Sequence, residues 1–189
     1  SAKCCVTEVT ENTIQNRLPQ FYRELHEADT FRGDSWQKHY KRFIGFLGNT
    51  SGKILDYGCG PTGGLSSKLE DRVIPYDPYL PKFSSPPWNS RFSTFFSCDV
   101  FEHLLKDDIF YLLKILTKRK DLEKLYIVAA TRPANKFFSN GLNIHLIVEP
   151  SSWWRGLFEA RLSGEFDLVI ASDDMIRGEA VFAATRRTK

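Results

Sequence analysis

Lys53-Ile54-Leu55-Asp56-Tyr57-Gly58-Cys59-Gly60-Pro61-Thr62-Gly63 changes character half-way along. Its first part is a short apolar run with the composition of a buried strand, and its second is a glycine turn of pattern GxGxxG. Glycine lets the backbone turn sharply and approach a ligand with no Cβ in the way. The spacing predicts a helix starting near Gly63 or Gly64 and continuing through Leu65 and Leu69. Strand, glycine turn and helix in that order form the opening unit of an adenosine-cofactor site, a geometry that nicotinamide and flavin sites share.

Downstream, Arg72 to Asp77 reads as a second strand, closed by the turn-forming pair Asp77-Pro78. An acidic residue at this strand end is placed to take both ribose hydroxyls of a cofactor, and Asp77 stands 17 residues past Gly60. Pro81 to Ser90 is rich in proline and serine and reads as a surface loop. Arg91 to Cys98 and Leu125 to Ala130 read as further strands, and Asp107 to Leu116 has helical spacing. Ser151 is placed to N-cap a helix through Trp153, Trp154, Leu157 and Phe158. Phe166 to Ala171 and Glu179 to Thr185 then close the chain as an antiparallel hairpin. Upstream, apolar and aromatic residues from Ile14 through Phe43 recur at three- and four-residue steps over Glu11 to Leu47, which predicts two or three helices. Alternating strands and helices imply an α/β fold: a mostly parallel sheet covered on both faces, with a reversed strand at one edge.

The chain has 189 residues, 42% of them hydrophobic, enough for one domain with a sizeable core. A formal net charge of +3 is too small to imply a nucleic-acid partner. No apolar run approaches a membrane span and no signal-type segment opens the chain, so a soluble, cytoplasmic protein is expected; Ser1 reads as a tag remnant or a processed end. Cys4, Cys5, Cys59 and Cys98 form no CxxC pair or disulfide framework. Cys59 in the turn and Cys98 in a strand read as small packing residues, not nucleophiles.

What separates the possible cofactors is Asp56, two residues before the first glycine. A dinucleotide sets a pyrophosphate against this turn, which a carboxylate would repel, whereas S-adenosylmethionine (SAM) carries a sulfonium and an ammonium and no phosphate. Ile54-Leu55-Asp56-Tyr57-Gly58-Cys59-Gly60 resembles the first motif of class I SAM-dependent methyltransferases, and Ser97-Cys98-Asp99-Val100-Phe101-Glu102-His103-Leu104 resembles their fourth-strand motif. The resemblance covers about Lys53 to Phe158 and implies a Rossmann-like methyltransferase sheet. It implies that Asp56, Gly58, Cys59, Gly60 and Pro61 flank the methionine part of SAM. Asp77, Pro78 and Tyr79 then lie at the ribose, and Cys98 and Asp99 form the pocket floor. One departure stands out: the stretch between Asp77 and Asp99 is too short for the family's third strand and its acidic residue. Tyr79, Phe83 or Trp88 is then left to stack on the adenine, or simply to anchor the loop.

Asp99, Glu102 and His103 follow a strand, at the sheet edge where ligands bind, and His145 precedes the last helix. Glu102, His103 and His145 are the candidate catalytic residues, with His145 or His103 as general base for an acceptor hydroxyl. The pattern Asp99-x-x-Glu102-His103 with a distal His145 is also similar to the metal-ligand set of small-RNA 2′-O-methyltransferases and ubiquinone-pathway O-methyltransferases. Asp99, Glu102, His103 and His145 are therefore the alternative divalent-metal set, although the reading adopted assigns no metal.

Residues 1–50 are expected to form a helical lid, with Tyr22, His26, Trp36, His39 and Tyr40 near the site, over a SAM-binding core of residues 53–189. One of Trp153 and Trp154 is expected at the acceptor pocket, and Lys118-Arg119-Lys120 and Arg186-Arg187-Thr188-Lys189 read as a solvated turn and a tail. The resulting expectation is a SAM-dependent methyltransferase transferring a methyl group to an oxygen of a small-molecule or glycan acceptor, with S-adenosyl-L-homocysteine (SAH) as product. The alternatives are a metal-assisted RNA 2′-O-methyltransferase, a dinucleotide-dependent oxidoreductase and a non-catalytic SAM-binding module.

Overall fold

Ile54 and Leu55 are adjacent in sequence and bury against opposite layers, which marks their strand as covered on both faces. The same alternation recurs at Phe95 and Phe96. The computed structural model describes residues 11–28 and 32–188; Cys4, Cys5 and the side chain of Ile14 lie outside that range. It contains six strands, β1 (Ile54–Tyr57), β2 (Val73–Tyr76), β3 (Thr94–Cys98), β4 (Lys124–Ala130), β5 (Phe166–Asp174) and β6 (Glu179–Arg186), in the sheet order β2-β1-β3-β4-β6-β5. β1, β2, β3 and β4 pair in parallel, and β6 runs antiparallel to both β4 and β5.

The hairpin of β5 and β6 agrees with the sequence reading, but the reversed strand is not at the edge. β6 inserts between β4 and β5, so the edge strand β5 runs the same way as the parallel strands. A tight hairpin carries the chain outward and back, and the returning strand, with its run Ala180-Val181-Phe182-Ala183-Ala184, is the more fully buried and takes the inner position.

Helices α1 (Glu11–Glu27), α2 (Gln37–Leu47), α3 (Ser66–Leu69), α4 (Lys106–Lys118) and α5 (Ser151–Leu162) complete the fold. α4 packs Ile109, Leu112, Leu113 and Leu116 against one sheet face, joined there by Trp154, Phe158 and Leu162 of α5. α2 packs Phe43 and Leu47 against the opposite face. Leu18, Phe21 and Tyr22 of α1 instead meet Phe138 and Ile144, on the loop beyond the carboxyl end of β4.

Three local expectations change. The helix after the glycine turn starts only at Ser66, because Gly63 and Gly64 take left-handed φ of 76° and 54° and prolong the turn. Ser151 is the first residue of α5, not its N-cap; the cap position is Pro150, and Ser151 Oγ donates to Asp173 Oδ2 at 2.7 Å. Trp153 lies beside the Lys106 ammonium, 5.6 Å from ring centre to nitrogen, and Trp154 is core. Between β2 and β3 the chain makes two short 3-10 turns, Pro81–Phe83 and Pro87–Asn89, and no strand, as the shortened sequence requires. No helix among the described residues is long and apolar enough to cross a membrane.

The α2 face rests on Phe43, fully buried with its ring centre 4.7 Å from Phe96 and 5.4 Å from Tyr126. Phe43→Ala is expected to lower unfolding free energy by about 3–5 kcal/mol in urea denaturation with an unchanged m-value.

Candidate active site

At the carboxyl end of β1 the chain turns with φ of 81° at Gly58 and 65° at Gly60. A Cβ on Gly58 would overlap Val100 Cγ2, so the first glycine lets the turn after β1 nest against the turn after β3. Asp56 does not face the open space. Its carboxylate is turned under the loop, where Oδ2 accepts the Leu65 N–H at 2.7 Å, and a Cβ on Gly64 would collide with it. Burial raises its pKa to about 7, against the pull of that N–H. Asp56 therefore braces the glycine turn from behind, and Cys59 lies buried with it. That placement withdraws the charge-based preference for a cationic cofactor drawn from Asp56 as a contact.

Asp77 closes the turn from the other side. Its Oδ2 accepts the Gly60 N–H at 3.2 Å and its Oδ1 the Tyr79 N–H at 3.1 Å. Burial raises its pKa, tempered by these donors and by the nearby His26. Tyr79 stacks on Tyr22 of α1, centroids 4.7 Å apart and planes within 15°. Of the three aromatics expected near an adenine ring, Tyr79 alone lines the cavity. Trp88 packs on Tyr57 and Tyr76 at 6.3 Å, and Phe83 lies against the Gly63 position.

Beyond β3 the backbone enters the left-handed region at Asp99, φ 54°, a conformation that non-glycine residues hold only where neighbours enforce it. Asp99 Oδ1 is buried with no hydrogen-bond partner of good geometry among the described residues. Glu102 follows in a 3-10 turn and is fully buried. Its pKa is well above the carboxylate range because of burial first and Asp99 second, although the N–H groups of Glu102 and Ala130 favour the ionised form.

Both histidines are oriented through Nδ1. His103 Nδ1 donates to Ile144 O at 2.9 Å and His145 Nδ1 to Arg132 O at 2.6 Å, which leaves the lone pair of each neutral ring on Nε2. The rings meet edge-on at 4.8 Å, and His145 Nε2 lies 3.9 Å from Glu102 Oε1. Burial lowers both pKa values, that of His103 to about 3, so both rings are neutral at physiological pH. Glu102, His103 and His145 each offer a ligand atom within 4.8 Å of the others; Asp99, the fourth member of the alternative metal set, is not in this group.

These parts border one cavity of about 610 Å³, a volume typical of small-molecule sites. Gly58, Gly60, Pro61, Asp77, Pro78, Tyr79, Cys98, Asp99, His103 and His145 line it; Asp56, Cys59 and Glu102 do not. From the segment expected to form a lid, Tyr22 and His26 line the cavity. The Tyr22 hydroxyl donates to His103 O at 3.1 Å. Trp36 and Tyr40 pack edge-on at 5.6 Å on the α2 side of the sheet. Burial holds the Cys59 and Cys98 thiols protonated, in keeping with a packing role.

Two features escape sequence reading. Glu179, at the start of β6, is fully buried, hydrogen-bonded to His39 Nε2 at 3.0 Å and ion-paired to Lys38 Nζ at 3.3 Å. Burial alone would raise its pKa, but these partners bring it below the ordinary value. The stretch from Arg32 to Ser35 also lines the cavity. Only the odd acid in the apolar run of β6 hinted at the first, and nothing at the second.

No protein-family model and no curated protein matches the sequence. Solved structures do match in shape. The small RNA methyltransferase HEN1 superposes with a TM-score of 0.57 at 12% identity, over 84% of this chain and 26% of HEN1. The PH0226 protein from Pyrococcus horikoshii OT3 gives 0.57 at 10% identity, over 96% and 94%. The 16S rRNA methyltransferase RmtF, solved with SAH, gives 0.55 at 12% identity, over 80% of this chain; the chain spans 62% of RmtF. The chain has the class I methyltransferase fold.

Asp56 gives the turn a pH signature. Its carboxyl ionises near pH 7 in the fold and near pH 4 when unfolded. The unfolded state therefore loses its proton first, and stability falls as pH rises through that window. Asp56→Asn, which keeps an acceptor for Leu65, is expected to gain on the parent by up to about 4 kcal/mol between pH 4 and 7 and to level off above. Urea denaturation across that range checks it; parallel profiles would contradict it.

Proposed function

We propose that this chain is a SAM-dependent methyltransferase acting on an oxygen of a small-molecule or glycan acceptor. The observation that carries the reading is the cavity at the carboxyl edge of the sheet, whose lining joins the glycine turn and Asp77 to His103 and His145. The residues present fit the cofactor. Asp77 is placed for the ribose hydroxyls and Tyr79 for the adenine face, and the unpartnered Asp99 Oδ1 calls for a donor such as the methionine ammonium. SAM supplies an activated methyl on a sulfonium.

The protein's own work is alignment and proton removal. The imidazole of His145, fixed by Arg132 O, presents Nε2 to an acceptor hydroxyl and takes its proton. The buried Glu102 carboxyl lies 3.9 Å from that Nε2. Tyr22 and His26 of α1, which line the cavity, act as part of a lid. Neutral rings at physiological pH are in the base form, so activity should not need alkaline conditions.

A second reading has a specific observation behind it. Both Glu102 oxygens are buried without a hydrogen bond of good geometry, and two imidazole nitrogens stand close by. Glu102, His103 and His145 would hold a divalent ion, with the Ile144 and Arg132 carbonyls orienting the two rings. Such an ion would acidify the acceptor hydroxyl.

Calorimetry is expected to show SAH binding and no NAD binding, with Asp77→Ala weakening SAH by about tenfold or more. NAD binding without SAH binding would overturn the proposal. His145→Ala is expected to cut turnover by about 10²–10⁴-fold while SAH affinity stays within about threefold. Metal analysis separates the two mechanisms: chelation that abolishes turnover, with one ion per chain lost in His145→Ala, favours the metal, and turnover indifferent to chelator favours the base.

A further inference from the structure

Three cations from two separate segments face the histidine end of the cavity. Arg32 precedes α2, and Arg132 and Lys136 lie on the loop after β4; all three line the cavity with His103 and His145. Arg32 and Lys136 are close enough to act on one another. Lys136 is shifted down by partial burial and then by Arg32. Arg132 O accepts the His145 Nδ1–H at 2.6 Å, which sets Arg132 beside that imidazole. Gathering like charges around one space is unfavourable unless an anion shares it.

No described carboxylate supplies that anion to the guanidiniums. Among the described residues, neither Arg32 nor Arg132 forms an ion pair with a carboxylate, Asp34 on the same lining included. Arg132 is nonetheless held in place. Its Nε donates to Arg177 O at 2.8 Å, and its stem crosses Gly178, where a Cβ would come within 2.8 Å of Arg132 Cδ. Of the other acids of the cavity, Asp77 accepts the Gly60 and Tyr79 N–H groups, and Asp99 lies on the side of Lys38 and His39.

We infer that this end of the cavity is an oxyanion subsite, formed by Arg32, Arg132 and Lys136, which holds a phosphate or carboxylate group of the acceptor beside the hydroxyl that reacts. Calling the ligand an acceptor rests on the methyl-transfer reading; the anion subsite itself does not. A guanidinium fork suits the paired oxygens of either group. A neutral alcohol would leave Arg32 and Arg132 with no counter-charge among the described residues, so the subsite selects against uncharged acceptors.

The test is a titration with inorganic phosphate and, separately, malonate, at fixed pH and fixed ionic strength, with and without SAH, following the imidazole resonances of His103 and His145. Saturable shifts with either anion are expected, and the tighter one identifies the group. Arg132→Gln and Lys136→Gln should each weaken binding about tenfold, and Arg132→Lys should recover part of the loss. Lys114→Gln, on exposed α4 surface, should change nothing. Shifts that do not saturate, or saturation that is equal in the parent and both charge-neutralised variants, would overturn the inference. SAH binding is read in the same samples: SAH bound with no anion effect defeats the subsite alone, and anion binding without SAH binding upholds the subsite and defeats the methyl-transfer reading.

Discussion

Two turns leave the carboxyl edge of the sheet side by side, and everything at the site depends on how closely they nest. The turn after β1 carries Gly58 and the turn after β3 carries Val100, whose methyl occupies the space where a Cβ of Gly58 would be. That contact lets the chain leave β3 low enough for Asp99 to line the cavity and for Glu102 to drop beneath it. Once Glu102 is buried, the histidines have a fixed charge or proton partner. Their Nδ1 bonds to main-chain carbonyls then set which nitrogen faces the cavity. The glycine is thus needed first for protein against protein, and only through that for protein against ligand.

Sequence periodicity disclosed the strands because each central one is buried on both faces and so reads as an unbroken apolar run. It also disclosed the missing strand, since Pro81 to Ser90 cannot supply a ladder of hydrogen bonds. Less visible was anything decided by tertiary partners. The direction Asp56 faces depends on Gly63 and Gly64 prolonging the turn, which brings Leu65 N–H over its carboxylate. Hairpin order in the sheet depends on which strand is more apolar throughout, a comparison local pattern does not make. His39 was legible as a residue near the site but not as the partner of Glu179, 140 positions away.

Charge in the cavity is sorted by cost. Asp77 and Asp99 are partly desolvated and each has its own support, from backbone N–H groups in one case and from Ser35, Lys38 and His39 in the other. Glu179 joins the second group because β6 begins opposite Ala130, where β4 ends. An inserted reversed strand therefore does more than fill the sheet. It delivers a carboxylate beneath the site, and α2 is tied to it through Lys38 and His39.

β2 itself stands at the border of the sheet. An unprotected border strand is a template for pairing with a second molecule. Here the border is only four residues long, carries Pro75 within it, and is followed by the two 3-10 turns of the Pro81–Asn89 segment. A proline has no N–H to offer an incoming strand, and four residues give it little length to grip. The border that β2 presents is thus poorly suited to pairing with a strand of another molecule.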